Sequence, residues 1–162
     1  MSETDKNLAH QVMTDPVHIL AFGFGTGLAP VAPGTVGSLL GVLLAWLTLD
    51  LGLVTQICTA IFLCVAGIWI CGESARRLGI HDHGGIVWDE IAGMYVVLIV
   101  APNTLWAWIL AFGLFRAFDI VKPWPIRDLD HRIHGGVGIM LDDLVAALYA
   151  ALLLVFLGSL MN

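Results

Sequence analysis

Residues 54–71, VTQICTAIFLCVAGIWIC, decide the fold class, because eighteen consecutive positions carry no charged side chain. A helix that crosses a bilayer needs about 20 mainly apolar residues, with a range of about 17 to 25. Residues 139–160 form a second long apolar run, with two acids near its beginning. We therefore predict a helical membrane protein and not a water-soluble domain.

The composition of the whole chain agrees with this prediction. Of its 162 residues, 59% are hydrophobic and only 12% are charged, whereas soluble domains average about 25% charged residues. The formal net charge is -6, and no cluster of bases suits nucleic acid, which we exclude as a partner. The three cysteines lie in one apolar run, where thiols behave as small hydrophobic groups, so we expect no disulfide framework.

Three further apolar runs complete the predicted bundle, at about residues 35–53, 86–101 and 105–121. Together with the two runs above, they predict an all-α, multi-pass membrane bundle of about five spans. The run at residues 86–101 is short and has two acids near its start, so it spans only if its polar end is buried in the bundle. The sequence does not indicate an oligomeric state.

The N-terminal part precedes these runs. Residues 1–14 are polar, and we expect a mobile or weakly helical tail ahead of a single membrane-embedded domain at residues 15–162. Asp15 and Pro16 are typical of an N-cap and a first helical turn, so a short interfacial helix should begin there. Residues 23–33 are rich in glycine and should form a loop.

The distribution of basic residues predicts the orientation, since cytoplasmic connections carry an excess of lysine and arginine. The connections after the runs at residues 54–71 and 105–121 contain five bases, whereas those near residues 50–52 and 102–104 contain none. We therefore expect a cytoplasmic N-terminus and five spans. The bases are Arg76, Arg77, Lys122, Arg127 and Arg132.

This topology brings acids from three helices to one membrane level, which predicts a metal site. Hard oxygen ligands suit magnesium or manganese better than zinc. A structural alternative stays open, because acids near helix starts also act as caps. Asp119, near a helix end, has three candidate counter-ions: a metal, Arg116 and Lys122. The predicted metal ligands are Asp89, Glu90, Asp119, Asp142 and Asp143.

The glycine-rich loop ends where the apolar run at residues 35–53 begins. Amide groups at a helix N-terminus bind anions, and glycine permits close approach of a ligand. We therefore predict that Gly34, Thr35 and Ser38 bind a substrate phosphate. The alternative is that the loop is only a packing turn at the membrane boundary.

Four motifs together resemble the phosphatidylglycerophosphatase A family of bacterial membranes. The motifs are long, and the resemblance extends from about residue 16 to the last helix. They are GFGTGLAPVAPGTVGS at 23–38, HDHGGIVWDEIAGM at 81–94, FRAFDIVKPWPIR at 115–127 and HGGVGIMLDD at 134–143.

The resemblance implies an all-helical enzyme of the bacterial inner membrane. It would hydrolyse the phospholipid phosphatidylglycerophosphate to phosphatidylglycerol, with Mg²⁺ as cofactor and, by the topology above, an active site facing the cytoplasm. By the topology argument, and not by the resemblance, Asp89 would act through the metal, while Arg116, Lys122 or Arg127 would offset charge in the transition state. The candidates for the general acid stay open and are His81, Asp82, His83 and His134.

Two functions of other classes stay open beside this one. A cation transporter would place acids along several spans near mid-bilayer, whereas the predicted acids gather at one end. A non-catalytic lipid-binding membrane subunit would not require two aspartates beside a helix start.

Overall fold

The chain folds into seven α-helices over the residues that the computed structural model describes, which are 3–80, 83–124, 126–127 and 133–160, with side chains described from residue 6 onward. Two 3₁₀ segments, Gly23–Leu28 and Leu49–Leu51, connect some of these helices. The all-α class is confirmed. The helices are α1 Glu3–Thr14, α2 Pro16–Ala21, α3 Pro33–Thr48, α4 Leu53–Leu78, α5 Trp88–Val100, α6 Leu105–Val121 and α7 Gly136–Leu160.

Helix α5 is the centre of the bundle, since nine of its thirteen residues are buried. It packs against α3, α4, α6 and α7. Small residues allow the closest of these contacts, because a Cβ added at Gly41 of α3 would strike α5, and one at Gly37 would strike Val87 directly before it. Two buried polar side chains in this core are paired: the Tyr95 hydroxyl lies 3.0 Å from the Thr48 hydroxyl, and Trp88 Nε1 donates to the Leu63 carbonyl.

The helices from α3 to α7 alternate in direction. The beginnings of α3, α5 and α7 and the ends of α4 and α6 therefore meet at one end of the bundle. Direct contacts support this, since Gly72 near the end of α4 lies against Gly136 at the start of α7. We call this the site end, because it contains the acids that the sequence singled out.

Three helical stretches in the described part of the chain are long and apolar enough to cross a membrane: Pro33–Leu51, Leu53–Leu78 and Gly136–Leu160. Helices α5 and α6, with 13 and 17 residues, rise about 20 and 26 Å, less than the ~30 Å thickness of a hydrocarbon core. The multi-pass architecture agrees with the sequence, and the count of five spans stays a prediction.

The N-terminal segment is more ordered than its composition indicates. Residues Glu3–Thr14 form a helix, because Leu8 and Val12, four residues apart, supply an apolar stripe that packs inward, with Val12 fully buried. The predicted start of α2 is confirmed, since Val17 N donates to the Asp15 carboxylate at 2.8 Å. Arg77 of α4 lies 2.6 Å from the same carboxylate and lowers its pKa.

Two helix boundaries differ from the apolar runs. Helix α4 continues to Leu78, seven residues beyond the apolar stretch, because Glu73 accepts hydrogen bonds from Arg76 and Arg77 one turn away. Helix α7 begins at Gly136, three residues before the run at residue 139. Asp142 and Asp143 consequently lie in its second turn and not at its first, so they are not caps of this helix.

Candidate active site

An open pocket of about 330 Å³ lies at the site end. Four parts of the bundle form its walls. They are the beginning of α3, the loop before α5 together with the first turn of α5, the end of α6 and the second turn of α7. The lining contains five acids and two bases, a formal charge of -3 when all are ionised. These residues are Asp89, Glu90, Asp119, Asp142 and Asp143, with Arg116 and Lys122.

Three of the five predicted metal ligands converge in this pocket. One carboxylate oxygen each from Asp89, Glu90 and Asp143 lies within 4.8 Å of the other two. Each of the three residues also has a buried oxygen without a hydrogen-bond partner: Asp89 Oδ1, Glu90 Oε2 and Asp143 Oδ2. Buried carboxylate oxygens are costly to leave unpaired, so this group fits a hard cation.

Asp119, the fourth predicted ligand, is compensated by a base of its own helix. Arg116 Nη1 lies 2.6 Å from Asp119 Oδ2, one turn along α6. The same nitrogen lies 3.8 Å from Glu90 Oε1. Of the three counter-ions that the sequence left open for Asp119, the structure therefore shows Arg116, which also brings Asp119 beside the three-acid group.

Asp142, the fifth predicted ligand, pairs with the other base of the pocket. Lys122 Nζ lies 2.5 Å from Asp142 Oδ2, which links the end of α6 to α7. Adjacent acids point about 100° apart on a helix, so Asp142 faces α6 while Asp143 faces α5. This rotation explains why the two aspartates have different partners.

Two residues of the pocket wall adopt the left-handed backbone region without being glycine. They are Ala32 with φ 48° and Lys122 with φ 44°, and each precedes a proline. The right-handed helical region is disfavoured for a residue before proline, and accordingly α3 begins after Ala32 and α6 ends before Lys122. Strain of this kind costs about 1–3 kcal/mol and concentrates at functional sites.

The predicted phosphate-binding residues at the start of α3 divide into three cases. Gly34 lines the pocket, and a Cβ there would overlap the Glu90 carboxylate. The Thr35 amide donates to the Ala32 carbonyl at 3.0 Å. Ser38 is fully buried; its hydroxyl donates to the Gly34 carbonyl at 2.8 Å and accepts from Arg116 Nη1 at 3.4 Å. Its hydroxyl thus supports Arg116 behind the pocket wall.

The other predicted catalytic residues lie away from the pocket or outside the described part. Arg127 is exposed and is not among the described residues that line the pocket. Asp82 and His81 lie outside the described residues. His83 Nδ1 accepts a hydrogen bond from the Gly85 amide at 3.0 Å, and His134 is exposed.

Sequence reasoning missed two features: the close packing of Gly34 against the Glu90 carboxylate and the hydrogen bond by which Ser38 supports Arg116. A signal for the second was present, because a serine inside a helix commonly bonds the carbonyl four residues earlier. No pattern in the sequence indicated that α3 packs Gly34 against Glu90, since this contact depends on how α3 and α5 are rotated.

The sequence is similar to proteins of one known family over most of its length. The family model described as Phosphatidylglycerophosphatase A matches residues 19–158. The chain is 44% identical over 154 residues to Phosphatidylglycerophosphatase A of Escherichia coli (strain K12), covering 90% of this chain and 86% of that protein. It is 47% identical over 142 residues to the protein of that name from Haemophilus influenzae, covering 86% and 87%. No solved structure matches. The chain belongs to the phosphatidylglycerophosphatase A family.

Proposed function

We propose that this protein hydrolyses the phosphate monoester of phosphatidylglycerophosphate, releasing phosphatidylglycerol and phosphate in phospholipid biosynthesis. One observation carries the proposal: three carboxylates, each with a buried oxygen that has no hydrogen-bond partner in the described part of the chain, share a pocket with two bases at one end of an apolar helical bundle. The names of the relatives point to the same substrate.

We propose that Asp89, Glu90 and Asp143 hold Mg²⁺, with Asp119 and Asp142 close by. Oxygen ligands and a high local negative charge are what this ion prefers. A phosphate monoester is itself an anion, so a pocket of formal charge -3 would repel it without a divalent cation. When bound, the ion would polarise the phosphoryl group and lower the pKa of a coordinated water.

The two bases have separate tasks in this proposal. Arg116 is oriented by Asp119 and Ser38, while its buried Nε atom has no hydrogen-bond partner. A guanidinium held in this way can donate to phosphate oxygens and offset charge that develops on them. Lys122, bound to Asp142, adds a second positive charge beside α7. We assign Gly34 to the approach of the phosphate, because no side chain intervenes there.

Geometry also favours an enzyme over the alternative functions. Below the pocket, the buried side chains of α5 and α7 are apolar, for example Met94, Val97, Ala147 and Leu154, except for Tyr95, whose hydroxyl lies against that of Thr48. A cation pathway needs polar groups along the bundle axis, and in the described residues these two helices place their acids only near the site end. A lipid-binding subunit would not need buried carboxylate oxygens that have no hydrogen-bond partner.

We further propose that the site end faces the cytoplasm of the bacterial inner membrane. Arg76, Arg77 and Lys122 lie at this end, at the ends of α4 and α6. Lysine and arginine concentrate in cytoplasmic connections. The substrate headgroup would then enter the pocket from the cytoplasmic leaflet.

The decisive experiment measures phosphate release from phosphatidylglycerophosphate in lipid vesicles that contain the purified protein. We expect turnover with Mg²⁺, its loss on addition of EDTA and its recovery when Mg²⁺ is restored. Glycerol 3-phosphate, which has no acyl chains, tests whether the lipid part is needed. An enzyme that releases no phosphate under any of these conditions, or is unaffected by EDTA, would contradict the proposal.

A further inference from the structure

Residues 16–28 contact the loop that leads into α5. They comprise α2 and the 3₁₀ helix that follows it. Val87 N donates to the Ala21 carbonyl at 2.8 Å. The Phe22 ring lies against the His83 ring, with centroids 5.5 Å apart, and a Cβ added at Gly27 would overlap the Gly85 backbone. We call residues 16–28 the N-terminal clamp, since they hold the residues directly before Asp89 and Glu90.

The clamp is itself attached to α4 by a buried hydrogen bond. His18 Nδ1 lies 2.8 Å from Ser74 Oγ, and the His18 side chain is only 1% exposed. The other ring nitrogen, Nε2, is buried and has no hydrogen-bond partner in the described residues. The Phe22 ring contacts the imidazole edge to face. The chemistry assigned above uses neither His18 nor Ser74.

The environment of His18 favours the neutral ring. An imidazolium donates from both nitrogens, and a second donor at Nε2 would lack an acceptor. The charged groups that face the ring are Asp15, at the start of its own helix, and Glu73 and Arg77 of α4. Burial lowers the pKa of His18 and outweighs the opposite effect of the two carboxylates.

We propose that His18 is a positioning residue, which in its neutral form docks the N-terminal clamp on α4 and thereby presets Asp89 and Glu90. Protonation of His18 releases the clamp, and the loop at residues 83–87 loses its contact with Ala21. The three-acid group then loses the preset arrangement that favours cation binding. This inference rests on the proposed function where Mg²⁺ affinity and phosphate release are measured, whereas hydrogen exchange tests the docking independently of that function.

The direction of the pH effect follows from linkage. The docked state binds fewer protons than the released state, so docking is strongest above the ordinary histidine pKa of 6.5 and weakens as the pH falls. Below that value the docking equilibrium should fall by about tenfold per pH unit until the docked histidine also titrates. Carboxylates of the pocket add a separate pH dependence that every variant with an intact pocket shares.

Hydrogen exchange of residues 16–28 between about pH 7.5 and pH 5 tests the docking directly. Wild-type protein should lose protection, relative to the intrinsic exchange rate, as the pH falls. His18→Asn places an amide near the position of Nδ1 but does not titrate, so its protection should stay nearly constant. His10→Asn, at an exposed histidine of α1, is the matched control and should behave like wild type.

A second measurement connects docking to the site. Mg²⁺ affinity and phosphate release should fall more steeply with acid in wild type than in His18→Asn, whereas Ser74→Ala should weaken both at every pH. Superimposable pH profiles of wild type and His18→Asn, in exchange and in Mg²⁺ affinity, would overturn the proposal. Exchange and Mg²⁺ affinity remain readable even if no phosphate is released, so a failure of the proposed function is distinguishable.

Discussion

Arg116 Nη1 lies 2.6 Å from Asp119 Oδ2, and Arg116 also contacts Ser38 of α3 and Glu90 of the three-acid group. The contact gives Asp119 a role that differs from those of Asp89 and Asp143, although all three were grouped by the sequence. Asp119 orients Arg116 toward the pocket, whereas Asp89 and Asp143 each have a buried oxygen without a hydrogen-bond partner among the described residues.

The three-acid group should be essential for cation binding. Asp143→Asn keeps the size of the side chain but removes its charge, so we expect Mg²⁺ affinity and turnover to fall by about 100-fold or more. Calorimetric titration with Mg²⁺ and phosphate release measure the two effects. Asp50→Asn, at the opposite end of the bundle, is the control and should leave both unchanged. Normal Mg²⁺ dependence in Asp89→Asn and Asp143→Asn would place the metal elsewhere.

Asp119 should act on the substrate more than on the metal. Asp119→Asn removes the partner that orients Arg116, so we expect phosphate release to fall by about 10- to 100-fold with a smaller loss of Mg²⁺ affinity. Comparison of KM, kcat and Mg²⁺ titrations distinguishes the effects. A loss of Mg²⁺ affinity as large as that of Asp143→Asn would instead make Asp119 a direct ligand.

Gly34 tests the close approach of α3 to α5. A methyl group at this position would overlap Glu90, so Gly34→Ala should reduce both Mg²⁺ affinity and activity. The larger Gly34→Val should do the same more strongly. Gly113→Ala is the control, because an added Cβ meets nothing within 4 Å. Equal activities of the two alanine variants would contradict the close contact.

Ser38 and Thr35 separate support of Arg116 from direct phosphate contact. Ser38→Ala removes the hydroxyl that accepts from Arg116, and we expect a higher KM with nearly unchanged Mg²⁺ affinity. Thr35→Ala should have the smaller effect if the Arg116 contact is what matters. The reverse order, measured by steady-state kinetics, would restore the phosphate-binding role predicted for the Thr35 hydroxyl.

Orientation is tested by cysteine labelling in sealed inner-membrane vesicles of known sidedness, after replacement of Cys58, Cys64 and Cys71. A cysteine at Arg76 is suitable, because that side chain is exposed, whereas Arg77 also holds Asp15. We expect labelling at position 76 from the cytoplasmic side and at Asn103 from the other side. Periplasmic labelling at position 76 would reverse both the orientation and the location of the site.

The sequence was most informative where the information is local. The apolar runs predicted the helices, since burial in lipid requires long uncharged stretches whose length is visible in the chain. The Asp15 cap was correct because a cap depends on a few adjacent residues. The polar composition of residues 1–14 concealed α1, because its stability comes from packing of Leu8 and Val12 against other helices.

The sequence by itself determined the class of fold, the family and the set of charged residues that meet at one end of the bundle. Alternating helices bring those residues to one level whatever their rotation. Only the tertiary structure decided their pairing: Arg116 with Asp119, Lys122 with Asp142, and three acids together with unpaired oxygens. The physical reason is that pairing depends on the rotation of each helix about its axis, and packing between helices distant in sequence fixes that rotation.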